Sequence, residues 1–273
     1  MRGFSVGHNL IVDCFGPCLS RAAKGPLPCV VTSPWGEPLP PSSTLRALIN
    51  PANQLLVGTS LPYFPRGDPL PVPPPPGLGS SSGWGGMDAG SNMVYPAQAV
   101  DGVTHLHAGP KLRTALAATR FNSLGQRCRI GSTVLSPAFQ LTHFDLIAHT
   151  PTPFWCPSTD HIGHMQWRQQ LISCYLSSVL AVVNGAPPGV ECTGSQFLSI
   201  PSLSNHGRSH SLLYIATPLL GSGASGAPVK AAVEVAVEAV SYLRACNLRT
   251  RLMLRFVSND AEAFAELNAA LLI

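Results

Sequence analysis

Two hydrophobic periods alternate along the chain. Short apolar runs bounded by Pro, Gly or Asn predict buried strands over residues 28–32, 45–49, 133–135, 144–148, 197–200, 212–217 and 252–257. Between them, apolar positions fall at helical spacing. Val103, Leu106, Leu112 and Leu116 form one such stripe, interrupted at Gly109-Pro110, and further helices are predicted over 166–184, 228–245 and 261–271. In the 228–245 segment Val229, Ala232, Val233, Ala236, Val240 and Leu243 share one side. Strands alternating with helices predict an α/β domain with a mixed, mostly parallel sheet. Ligands in such sheets bind outside the carboxyl ends of the strands. That gathers three loops at one rim: residues 50–53, 149–153 and 221–228.

The pattern fails over residues 58–96. This stretch contains RGDPLPVPPPPGLGSSSGWGGMDAGSN, Pro-rich and then Gly/Ser-rich, with few apolar anchors. Polyproline stiffness followed by a flexible tract cannot offset ordering entropy by burial. It is therefore expected to be an insertion loop within a single domain spanning 1–273, whose core runs from about 28 to 272. The PVPPPP run at 71–76 could contact a proline-binding module, although a plain surface insertion with no partner is the favoured reading.

Composition narrows the function. The chain has 273 residues, with Lys+Arg 17 against Asp+Glu 13, for a net charge of +4. Charged residues make up 11%, against roughly 25% in ordinary domains, and so mild a charge argues against nucleic-acid binding by bulk electrostatics. Apolar stretches fall short of the ~18 residues that span a bilayer, so no membrane partner is expected. The N-terminal segment has one apolar patch, broken by Asp13, and lacks a signal-peptide core. A cytoplasmic or nuclear location is expected, with organelle targeting left open. Eight cysteines are scattered without a CxxC. Cys156, His161 and His164 lack a nameable fourth ligand for zinc, so no metal and no cofactor is expected.

Two features carry candidate chemistry. The loop Gly221-Ser222-Gly223-Ala224-Ser225-Gly226 lies between an apolar strand and a helix start. Small residues let backbone amides approach a ligand, and a helix N-terminus favours anions, so the loop is a candidate phosphate cradle. It lacks the Gly-Lys-Ser/Thr of a Walker loop. Asn50 and Asn53 flank a tight turn, where an amide could grip a ribose hydroxyl pair or cap the turn itself. His105 and His149 read as helix and strand-end residues with satisfied hydrogen bonds.

In order, these segments resemble a macro domain. The family's strand ending in Asn-Ala-Ala-Asn matches LINPAN, with Pro51 at the first Ala; its Val-Asp-Gly helix matches AVDGVTHLHAG, with Val100, Asp101, Gly102, His105, Ala108 and Gly109 in register. The segment from Gly131 to Pro137, the strand end at Ile147, His149, Thr150 and Pro153, the helix with Leu171, Cys174 and Tyr175, and the loop 221–226 followed by Pro228 complete the series. The resemblance covers roughly 45–260.

It implies a three-layer α/β/α fold that binds ADP-ribose at the rim of the sheet. In MacroD-type members it implies hydrolysis of mono-ADP-ribose from modified proteins, or deacetylation of O-acetyl-ADP-ribose. ADP-ribose is then ligand or product, and an ADP-ribosylated protein the partner. Asn53 would hold the distal ribose and Asp101 would orient the water. Asn50, Ala52, Val100 and Gly102 would line the ligand with loop 221–226, Glu37 would meet the adenine amino group, and Asn259 would lie beside the adenine. Three departures favour an alternative, a non-catalytic reader or a degenerate fold with another ligand. Ala97-Gln98-Ala99 replaces the family's glycine triplet, the insertion adjoins the catalytic turn, and Asn259 stands where many members place an aromatic ring.

Overall fold

A computed structural model of the chain describes residues 9–16, 30–32, 34, 44–58, 64–65, 93–94, 99–157, 159–193, 212–246, 248, 250–258 and 260–271. The elements in chain order are β1 (Leu10–Phe15), β2 (Leu45–Ala52), β3 (Phe64–Pro65), β4 (Met93–Val94), α1 (Val100–Ala108), α2 (Pro110–Ala117), β5 (Ser132–Pro137), β6 (Leu146–Pro151), α3 (His161–Val183), β7 (Glu191–Thr193), β8 (Leu213–Thr217), α4 (Val229–Ala245), β9 (Leu252–Val257) and α5 (Ala261–Leu271). Seven strands form one sheet in the order β1-β9-β8-β2-β6-β5-β7, and β3 pairs with β4 separately. The five strands from β1 to β6 in that order run parallel, while β5 is antiparallel to β6 and to β7. The expected mixed, mostly parallel α/β sheet is therefore observed.

Period-two alternation sorts side chains onto two helical layers. On β2, Ala47 and Ile49 join a core with α3, α4 and α5, whereas Leu48 joins a second core with α1 and α2. The same alternation puts Ile147 on the α1 face and Ala148 on the α3 face. By parity, Asn50 and His149 must then face α1. Their backbones are paired in register across β2 and β6.

Several sequence expectations need correction. Residues 30–32 form a turn rather than a strand; Val30 and Val31 are buried against the α1 layer, which explains their apolar pattern. The sheet starts well before residue 28, because β1 pairs along β9 and Asp13, which breaks the apolar run, is bridged by Arg255 at 2.6 Å. The strand expected at 144–148 is displaced to β6: Phe144 closes a turn onto Leu141, and the sequence signal merged that buried turn with the strand. The helix expected from 166 begins at His161, where Asp160 accepts a hydrogen bond from the Gly163 amide at 2.8 Å as its N-cap. The three-residue β7 carried no sequence signal of its own. Residues 197–200, the run at 71–76 and most of 58–96 lie outside the described residues.

Candidate functional site

The ends of β8, β2 and β6 are adjacent, so the loops after them share one rim, as the sequence anticipates. Two of these loops are stitched together. Thr152 and Ser225 share a hydroxyl–hydroxyl bond of 2.8 Å, and the Trp155 amide donates to the Ser225 carbonyl at 2.8 Å. Gly221 takes φ +89°, and a Cβ there would stand 2.9 Å from Leu171 Cδ2. Only glycine fits both that backbone and that packing. Inside the loop, Ser222 Oγ donates to the Leu219 carbonyl, and the Gly226 amide bonds the Gly223 carbonyl. Among the described residues the amides of Gly223, Ala224 and Ser225 give no hydrogen bond, which leaves them free for an anion.

Under the rim lies a buried polar chain. Asp101, in the first turn of α1, is 7% exposed, and Asn50 Nδ2 donates to its Oδ1 at 2.7 Å. The same Nδ2 lies 3.1 Å from His149 Nδ1, and His149 Nε2 lies 2.9 Å from Ser136 Oγ. One proton pattern satisfies all of these contacts. Asn50 donates both amide hydrogens, His149 Nδ1 accepts, and His149 Nε2–H donates to Ser136, which donates on to the Pro137 carbonyl at 3.1 Å. That pattern needs a neutral imidazole. Burial holds the His149 pKa down at about 3, with nearby His105 adding to the effect.

The chain is not fully satisfied. Asn50 Oδ1, Thr104 Oγ1 and both ring nitrogens of His105 are buried without a hydrogen-bond partner. His105 Nε2 approaches Asp101 Oδ1 at only 3.5 Å, so the expectation that His105 would be satisfied fails. Burial raises the Asp101 pKa to about 6, opposed by the Asn50 hydrogen bond, and burial lowers that of His105 to about 4, with Arg113 adding to it. Unpaired buried polar atoms are rare and mark places where a ligand or water completes the pattern.

Asn53 is used differently from expectation. Its Oδ1 accepts from the amides of Leu55 at 3.1 Å and Val57 at 3.4 Å, and its Nδ2 donates to the Gly58 carbonyl at 2.9 Å. These bonds make it the clasp of its own turn, the second of the two roles open to it from sequence. The turn is strained, with buried Leu56 at φ +57°, and it presses Gly58 onto the His105 ring. Asn50, rather than Asn53, is the asparagine brought to Asp101. Ala52, Val100 and Gly102 are half-buried at the rim, around the two ends that meet there. Glu37 and Asn259 lie outside the described residues. Cys156, His161 and His164 form no cluster: His164 stacks on Trp155 at 4.5 Å and meets the Cys156 carbonyl through Nε2. Among the described residues no group of three His, Cys, Asp or Glu side chains could hold a metal ion. Sequence reasoning missed Ser136 and Thr104. A polar residue two positions from Val134, on the α1 face of β5, as Ser136 is, was the available signal.

A family model for the macro domain matches residues 89–236, more than half of the chain. The chain belongs to the macro domain family. Among solved structures, the macrodomain of Oceanobacillus iheyensis with ADP is similar at a TM-score of 0.54 and 18% identity, covering 99% of this chain and 94% of that one. A variant of it with ADPR gives a TM-score of 0.53 at 17% identity, covering 99% and 96%. The Trypanosoma brucei macrodomain in complex with ADP gives 0.51 at 16% identity, covering 97% and 69%. At such identities the likeness is one of fold, and it matches the three-layer α/β/α arrangement of this macro domain. A comparison with curated proteins returns no match. Among the described residues no helix is long and apolar enough to cross a membrane.

Proposed function

We propose that this macro domain binds ADP-ribose at the rim and hydrolyses the bond between ADP-ribose and a modified protein, or deacetylates O-acetyl-ADP-ribose. One observation carries the reading: a buried carboxylate, held by Asn50 and surrounded by unpaired polar atoms, lies under the shared loop rim. The diphosphate would lie on the free amides of loop 221–226 and the distal ribose near Asp101. There Asp101 orients a water toward the anomeric carbon. The water oxygen bonds to that carbon, the bond to the protein carboxyl oxygen breaks, and the water proton passes to Asp101 and then to solvent or product. With its pKa lifted to about 6 by burial, Asp101 accepts that proton at neutral pH and returns it readily. Asn53 serves by fixing the turn that sets Gly58 against the His105 ring.

A reader without turnover is the second reading. It is favoured by the engagement of Asn53 with its own turn, since that amide is spent before a ribose arrives. An Asp101→Ala variant separates the two. On a mono-ADP-ribosylated protein, the hydrolase reading expects turnover to fall by about a hundredfold or more while ADP-ribose still binds. Turnover equal to wild type ends the catalytic role, and absence of turnover in the wild type selects the reader.

A further inference from the structure

A cleft opens beyond the far end of the buried polar chain, with Ser136 on its wall. Pro137 of β5 pairs with Leu146, the first residue of β6, so the end of β5 lies at the opposite edge of the sheet from Asp101. There a cleft of about 690 Å³ opens between the last turn of α2, the end of β5 and residues 188–191. Its volume suits a small ligand. Leu116, Leu135, Pro137 and Val190 give it an apolar wall. Thr119 and Asn122 line it too, and Thr119 is only 5% exposed. Thr119 Oγ1 and Asn122 Nδ2 are both buried with no hydrogen-bond partner. The Asn122 amide cannot simply turn around. Its Oδ1 accepts from the amides of Leu124 at 2.9 Å and Gln126 at 3.1 Å, so the unpaired group is a donor.

The charges around the cleft do not cancel. Glu191, the carboxylate on its wall, is held by the amide and Nε of Arg129. Arg127 stacks on Phe121 at 4.1 Å and directs its guanidinium at the carbonyls of Thr119, Leu55 and Ala117. Arg120, exposed on the wall, has no ion pair among the described residues. Phe121 is 57% exposed. The Arg120 guanidinium without a carboxylate partner, the unpaired Asn122 amide donor and the exposed part of the Phe121 ring that Arg127 leaves uncovered specify an anion with a flat apolar body.

We propose that this cleft is a second binding site, separate from the rim, for a small carboxylic acid with a planar apolar body. Its carboxylate meets Arg120 and the Asn122 amide, and its body rests on Phe121 and the apolar wall. The test is a titration of the isotope-labelled full chain with phenylacetate, followed by backbone and side-chain amide shifts. Phenylacetamide serves as the uncharged control. Saturable shifts are expected at Thr119, the Asn122 side chain and Gly189, at millimolar affinity or better, with phenylacetamide at least about tenfold weaker. Arg120→Glu, an exposed change, and Asn122→Asp, which keeps the turn's acceptor, should each weaken phenylacetate by at least about tenfold. Absence of saturation by about 20 mM, equal binding of phenylacetamide, unchanged affinity in Arg120→Glu, or shifts confined to the rim would each overturn the proposal.

Discussion

Asp101 and its two histidine neighbours titrate in opposite senses, and this gives the site a signature in stability. Burial lifts Asp101 from 3.8 to about 6, so folding takes up a proton there between those values, and the group's contribution is lost as pH rises through about 6. His105 and His149 fall from 6.5 to about 4 and about 3, so each sheds a proton on folding, and their contribution is lost as pH falls below 6.5. Between about pH 4 and 6 the unfolded chain binds two extra histidine protons and the folded chain one extra carboxyl proton. From these three groups, stability should fall by about 1 kcal/mol per unit of acidification. Asp101→Asn removes the offsetting proton, so the slope should roughly double, while stability at neutral pH rises by about 1–3 kcal/mol. Urea unfolding across that range measures both, and parallel slopes would contradict the burial argument. Asn50→Ala removes the donor that favours the ionised carboxylate. The pH midpoint of turnover should move up from about 6 by roughly a unit, with about 1–3 kcal/mol lost in folding.

Among the elements, the loops at the rim depend on glycine unequally. Gly221 sits at φ +89° against Leu171, while a Cβ on Gly223 would meet nothing within 4 Å. Gly221→Ala should therefore cost about 1–3 kcal/mol, and Gly223→Ala should leave stability within about 0.5 kcal/mol. A pair of thermal melts decides it, and equal melting temperatures for the two variants would count against the packing described. Elements with one long amphipathic face were legible in the sequence. α4 and α5 lie where the pattern put them, because their buried residues meet a single core. The errors have a shared cause. Val30, Val31 and Phe144 are apolar because they are buried at turns, and apolarity without a clean period does not separate a buried turn from a strand. At the site, Asp101 was legible through its motif. The roles of Asn50 and Asn53 were not, because the choice between ribose and turn depends on which face of β2 each residue reaches. Parity along the strand sends Asn50 to α1, and Asn53 lies past the strand end, where its own backbone is the nearest partner.

Across the whole molecule, the site and the far edge of the sheet are separable. β1 stands three strands from β2 in the order β1-β9-β8-β2, and Arg255 clamps it through Asp13 at 2.6 and 2.9 Å. Arg255 is 6% exposed. Removing the carboxylate by Asp13→Ala takes the Asp13 ion pair and its hydrogen bonds from a buried cation and should cost about 2–4 kcal/mol. ADP-ribose affinity of the folded fraction should be unchanged, since β9 and β8 separate β1 from β2 and the Asn50–Asp101 pair. Chemical denaturation with ligand titration below the transition checks both parts. The central claim is that the rim forms one complete cleft for ADP-ribose, despite the Ala97-Gln98-Ala99 segment and the insertion. Calorimetric titration with ADP-ribose, alongside AMP and ribose-5-phosphate, tests it most directly. Affinity for ADP-ribose near the micromolar range, at least about tenfold tighter than for either fragment, is the result predicted. No heat of binding at about millimolar ADP-ribose, or no advantage over AMP, would contradict it.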